Sequence, residues 1–155
     1  MLMLFAVICN VSSFAQTDVK YHAEVDLGYS TGVGEWCFER VNLHTVQGVK
    51  IGNNFSVGLG LGVDYYYDLE EAFMPITVNA KGYLPVSNKV SPFISLDLGY
   101  GVGLSNSGSG FTYTPAIGVK LSKFKIQVGY NCQKITESGL SLNMGAIQLK
   151  LGFMF

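Results

Sequence analysis

Long apolar runs are missing from this chain. Beyond its first few residues, no segment approaches the roughly 20 consecutive apolar residues that a membrane-spanning helix needs. Yet 48% of its residues are hydrophobic and its mean hydropathy is +0.30, so the apolarity must be delivered by alternation. Charge is scarce as well: 10 Lys and Arg stand against 11 Asp and Glu in 155 residues. That balance leaves no basic excess to grip polyphosphate, which excludes nucleic acid as an expected partner. The three cysteines, one of them Cys9 near the start, give no disulfide framework. His22 and His44 stand alone in the sequence, so neither a metal nor a cofactor is expected. Four prolines against 19 glycines, nine tyrosines and ten phenylalanines favour strands and tight turns over helices.

What is present is a two-residue period. In "GAIQLKLGFMF", Ile147, Leu149, Leu151, Phe153 and Phe155 share one face, and Ala146, Gln148, Lys150, Gly152 and Met154 share the other. The same separation recurs from Lys20 to Ser30, about Phe38 to Val49, Phe55 to Tyr66, Ile76 to Leu84, Ile94 to Gly103, Thr112 to Leu121 and Phe124 to Gln133. This makes about eight strands in up-and-down order, each expected to pair with its sequence neighbours. The second is the least regular and invites a bulge. Pro115 costs a ladder hydrogen bond and marks a second possible bulge. In the third strand, glycine at every other position implies a crowded inner surface. Connections near Asn53, Ser87 and Ser122 read as brief, and those near Gly32, Glu70, Ser107 and Glu137 as longer or more polar. The opening "MLMLFAVICNVSSFAQ" has an apolar core and small residues at Ser13 and Ala15, the pattern of a secretory signal. The expected division is therefore a signal peptide at 1–15 and one barrel domain at 16–155.

Strand charges carry the argument further. Glu24, Asp26, Arg40, Asp64, Lys81, Asp97, Lys120, Lys125 and Lys150 all fall on the phase opposite the aliphatic one. A soluble sandwich or lipocalin-like barrel also separates phases, but it would turn the charges towards water. Three features favour lipid outside and charge inside. Aliphatic residues fill the other phase throughout, including Leu59, Leu61, Leu96, Leu98, Ile117, Val119, Ile126, Val128, Leu149 and Leu151, and aromatics gather towards strand ends as at bilayer interfaces. The charged phase is otherwise rich in small residues, which suits a narrow lumen. The leader and the aromatic ending agree with export. The fold predicted is an all-β, eight-stranded antiparallel up-and-down transmembrane barrel, closed because an unpaired backbone group in lipid is costly.

With its leader, the strands "GLGLGVDYY" and "SLDLGYG", and the ending "QLKLGFMF", the chain from Thr17 to Phe155 resembles the small eight-stranded outer-membrane β-barrels of Gram-negative bacteria, the OmpA- or OmpX-like group. The resemblance implies an outer-membrane location with both termini periplasmic. It also implies engagement of the barrel-assembly machinery through a signal in the last strand, for which Gln148, Phe153 and Phe155 fit; Lys150 stands where a glycine is usual. Lipid and that machinery are the expected partners.

Eight strands leave an interior that side chains just fill, so the nine inward charges are expected to cross-link as a plug that serves stability. A structural or interaction barrel, with its outer connections as contact surface, is the function expected. The alternatives are a small pore and a lipid-modifying enzyme. Lipid chemistry needs groups facing the bilayer, whereas both histidines fall on the lumen phase, so no catalytic residue is assigned.

Overall fold

A computed structural model describes residues 18–34, 37–104, 108–137 and 139–155. The proposed signal peptide at 1–15 lies outside the described residues. Eight strands follow in chain order: β1 Val19–Val33, β2 Arg40–Ile51, β3 Phe55–Tyr66, β4 Glu71–Tyr83, β5 Val90–Gly103, β6 Gly110–Leu121, β7 Phe124–Glu137 and β8 Leu140–Met154. Every strand pairs antiparallel with its sequence neighbours, and β1 pairs with β8 to close the barrel. Closure leaves no sheet edge.

Following paired residues once round, from Ala23 through Gln47, Leu59, Val78, Leu98, Tyr113, Cys132 and Gly145, returns to β1 at Val33, ten residues beyond the start. Such a stagger requires strands tilted by roughly 35–45° to the barrel axis. Both described chain ends meet the β2–β3, β4–β5 and β6–β7 connections at one end of the cylinder, here the terminal end; the other four connections mark the distal end.

Alternation decides which way each side chain points. On β3 the odd-numbered residues from Phe55 to Tyr65 are exposed and the even-numbered ones from Ser56 to Tyr66 are buried. The glycines on that inner face are there because the lumen has no room. A Cβ on Gly62 would sit 2.2 Å from His44 Cδ2, and one on Gly60 would sit 2.4 Å from Thr77 Oγ1. Gly62→Ala is therefore expected to cost about 1–3 kcal/mol by overpacking, read as a lower urea midpoint in detergent; an unchanged midpoint would mean that His44 moves aside freely.

Several sequence expectations are corrected. β2 keeps one register against both neighbours and carries no bulge. Pro115 interrupts pairing with β7 for two residues, but the register is the same on either side. Pro75 does the same between β3 and β4. A missing N–H thus opens the ladder without shifting it. The segment "KITESG" is not a long connection: β7 runs on to Glu137 and β8 starts at Leu140, so the two form one extended hairpin. Connection lengths differ little between the two ends. Cys37 lies in the β1–β2 connection and Cys132 on β7, and both are free.

Candidate functional site: the charged lumen

The inward phase brings four acids and four bases into the interior: Glu24, Asp26, Asp64 and Asp97 with Arg40, Lys81, Lys125 and Lys150, all buried. Buried charges persist only when paired and hydrogen-bonded, and the even count makes full pairing attainable. Glu24, with no exposed surface, is the hub. Its carboxylate binds Lys81, lies 2.8 Å from Lys125 Nζ and 3.5 Å from His22 Nε2. Lys125 also reaches Asp26 at 2.9 Å, and Lys81 donates to Asn79 Oδ1 at 2.8 Å.

A second group centres on Asp64. It accepts from Asn42 Nδ2 at 2.7 Å, lies 2.6 Å from His44 Nε2 and has Arg40 at 3.9 Å. Lys150 Nζ stands 3.1 Å from His44 Nδ1 and 3.8 Å from Asp97. An ammonium can only donate, so His44 Nδ1 accepts and its Nε2–H donates to Asp64. Asp97 in turn accepts from Asn79, which links the two groups. Towards the distal end Arg40 binds Tyr66 and Asn131 and reaches Gln133 Oε1 at 3.3 Å, with its guanidinium 5.3 Å from the Tyr66 ring.

The two histidines that stand alone in the sequence are thus members of the network. Adjacent strands carry His44, Asp64 and Asn42 at one level, which no linear spacing reveals. Lys120 is the exception among the nine predicted lumen charges. It is half-buried at the terminal end, its Nζ lies 5.9 Å over the Tyr83 ring, and it joins no ion pair among the described residues.

Sequence reading also missed the rings that cap the network. Tyr66 and Phe73 stack edge to face at 5.3 Å on the distal side, and Tyr83, Phe93 and Met154 pack together on the terminal side. All five point inward; alternation sets Tyr66 with Asp64, Tyr83 with Lys81 and Met154 with Lys150, whereas Phe73 and Phe93 lie just outside the strand bounds expected from sequence. Between the caps are two polar voids of about 10 Å³ each, both bordered by His44, Pro75, Thr77, Asp97 and Lys150. A void of that size holds about one water.

The outer surface is the reverse of the inner. Leu59, Leu61, Leu96, Leu98, Ile117, Val119, Ile126, Val128, Leu149 and Leu151 are all exposed. Phe55 and Tyr65, both outward on β3, are separated by ten residues. At a rise of about 3.3 Å per residue and a tilt of ~40°, their separation along the axis is about 25 Å. That matches the apolar band of outer-membrane barrels, with aromatics at both margins. Of the last-strand residues, Gln148 is buried and donates to Asn42 Oδ1 at 3.0 Å, while Phe153 stacks between Phe124 at 5.2 Å and Phe155 at 5.0 Å.

A closed eight-strand antiparallel barrel, ionised within and aliphatic without, has the fold of the small outer-membrane β-barrels. Neisserial surface protein A matches it with a TM-score of 0.69 at 13% identity, over 88% of this chain and 97% of that one. The outer-membrane enzyme PagL matches at 0.63 and 12% identity, over 83% and 98%. A de novo designed transmembrane β-barrel matches at 0.51 and 10%, over 86% and 95%. At such identities the likeness is one of fold. No protein-family model and no curated protein matches the sequence.

Proposed function

We propose that this chain is an integral outer-membrane barrel whose lumen is a solid polar plug, with a structural or interaction role rather than a transport one. The observation that carries the reading is its sidedness: Leu59 is 63% exposed while Glu24 is 0% exposed. In water an exposed belt of this extent would drive association; in lipid it is the solvated surface. The two lumen voids described above hold about one water each, too small for a solute. The termini are assigned to the periplasm and the distal connections to the cell exterior, where they form the contact surface. Lipid contacts the ten outward aliphatic residues named above. Gln148, Phe153 and Phe155 serve as the assembly signal read by the barrel-assembly machinery. His22 and His44 are occupied by carboxylates inside the lumen, which supports a non-enzymatic reading.

Expressed with a leader, the protein is expected to fractionate with outer membranes and to run faster on a gel unheated than boiled. In planar bilayers it is expected to give no stable conductance steps. Soluble fractionation without a heat-dependent shift defeats the membrane assignment, and reproducible single-channel steps defeat the plug.

A further inference from the structure

Charges outside the plug are sorted by end. Lys20, Lys50, Lys89, Lys120 and Lys123 surround the terminal end, where Asp18 is the one acid among the described residues and pairs with Lys20 at 3.2 Å. Acids instead dominate the described distal end, as at Glu39, Asp68, Glu70 and Glu71.

Two of those lysines are held in an unusual way. Lys50 and Lys120 face inward at the terminal mouth, and both ammonium groups lie over the same Tyr83 ring, at 5.0 and 5.9 Å. Like charges gathered on one ring repel, and neither makes an ion pair among the described residues. The nearest lumen acids, Glu24 and Asp26, are already engaged by Lys81 and Lys125. An anion between the two ammonium groups would relieve the repulsion.

The wall at the same end carries an apolar groove of about 960 Å³ on its outer side, lined by Phe55, Gly82, Leu84, Ile94, Ile117 and Val119 and bordered by Tyr83. Gly82 helps to open it: a Cβ there would meet Ile94 alone, at an ordinary 3.7 Å. A paired cationic mouth beside an apolar channel is complementary to an amphiphile with a phosphate head and a hydrocarbon chain.

We propose that the terminal rim binds one anionic glycerophospholipid, its phosphate held by Lys50 and Lys120 and an acyl chain lying in the groove beside Gly82. The proposal rests on the membrane reading above, and the test separates the two. The full chain is reconstituted in nanodiscs of phosphatidylcholine with a minor share of phosphatidylglycerol. The heat-dependent gel shift is scored first, so a chain that is not a membrane barrel fails there before any lipid is counted.

In shifted material, co-purifying phosphatidylglycerol is expected to exceed its bulk share, and Lys50→Gln and Lys120→Gln are each expected to lower that enrichment about fivefold. Both side chains lie outside the plug, so these variants keep the gel shift. Gly82→Leu, whose Cβ meets only Ile94 at an ordinary 3.7 Å, projects into the groove and is expected to abolish the enrichment, while broadening of the inorganic phosphate signal in phosphorus NMR, which reads the lysine pair alone, persists. Bulk-level phosphatidylglycerol in a shifted barrel, or enrichment indifferent to both lysines, overturns the proposal. Phosphate binding with Gly82→Leu leaving lipid content unchanged assigns the lysines to a soluble anion and overturns the lipid.

Discussion

Glu24→Gln is expected to lower the stability of the barrel by about 3–5 kcal/mol, the largest effect of any single substitution in the lumen. The change keeps the volume and removes only the charge. Lys81, buried, is then left without a carboxylate within ion-pair reach among the described residues, and Lys125, also buried, keeps only Asp26. Desolvation of the two ammonium groups is no longer offset. The readout is the urea midpoint of the heat-dependent gel shift in detergent. Adding Lys81→Met should recover part of the loss, because the orphaned cation goes with it. A double-mutant cycle then gives the coupling directly. An unchanged midpoint for Glu24→Gln would mean that the lumen is hydrated enough to screen its charges.

Leu59→Arg is expected to destabilise the protein in a bilayer by about 2–4 kcal/mol. Leu59 lies near the middle of β3, midway between Phe55 and Val63, and points outward with 63% of its surface exposed. In a water-soluble barrel an exposed leucine is replaced by arginine at almost no cost, since surface substitutions usually stay within about 0.5 kcal/mol. The sign and size of this one number therefore separate a lipid-facing wall from a water-facing one. A charge at Tyr65, near the aromatic margin, should cost less than at Leu59, because the penalty falls with distance from the midplane. Equal, negligible costs at both positions would count against hydrocarbon contact.

The fold was legible because burial on one side and lipid on the other impose a strict period of two. β3 shows it from end to end, since Phe55 to Tyr66 alternates without a break and the strand is bounded where the alternation stops. The distal half of the β7–β8 hairpin was not legible for the converse reason. Along Leu140–Asn143 consecutive residues are all exposed, and the apolar ones, Leu140 and Leu142, fall on the phase of Gln148 and Lys150 rather than that of Leu149 and Leu151, so the alternation changes phase although the pairing continues. Composition also hid the site. The inward charges could be assigned to one phase, but which acid meets which base depends on the stagger of ten residues round the cylinder, and that follows from hydrogen-bond register rather than from any local spacing. Alternation sets Tyr66 on the charged phase with Asp64, but Phe73 escaped notice because it lies before Ile76, where the legible alternation of the fourth strand begins. Nothing in the sequence singled out Lys120 from the other eight inward charges; only its position beside the β6–β7 turn at the terminal end keeps it away from the acids.

One property of the Glu24 hub reaches into biogenesis. Its partners come from β4 and β7, those of Arg40 from β3 and β7, and that of Lys150 from β5. Early hairpins entering hydrocarbon singly would carry ions whose counterparts are still being delivered, at a cost that grows with depth. The energetically open route is to hold all eight strands at the interface and cross together. Such a route would make assembly of the barrel a single concerted event, sealed when the first strand meets the last.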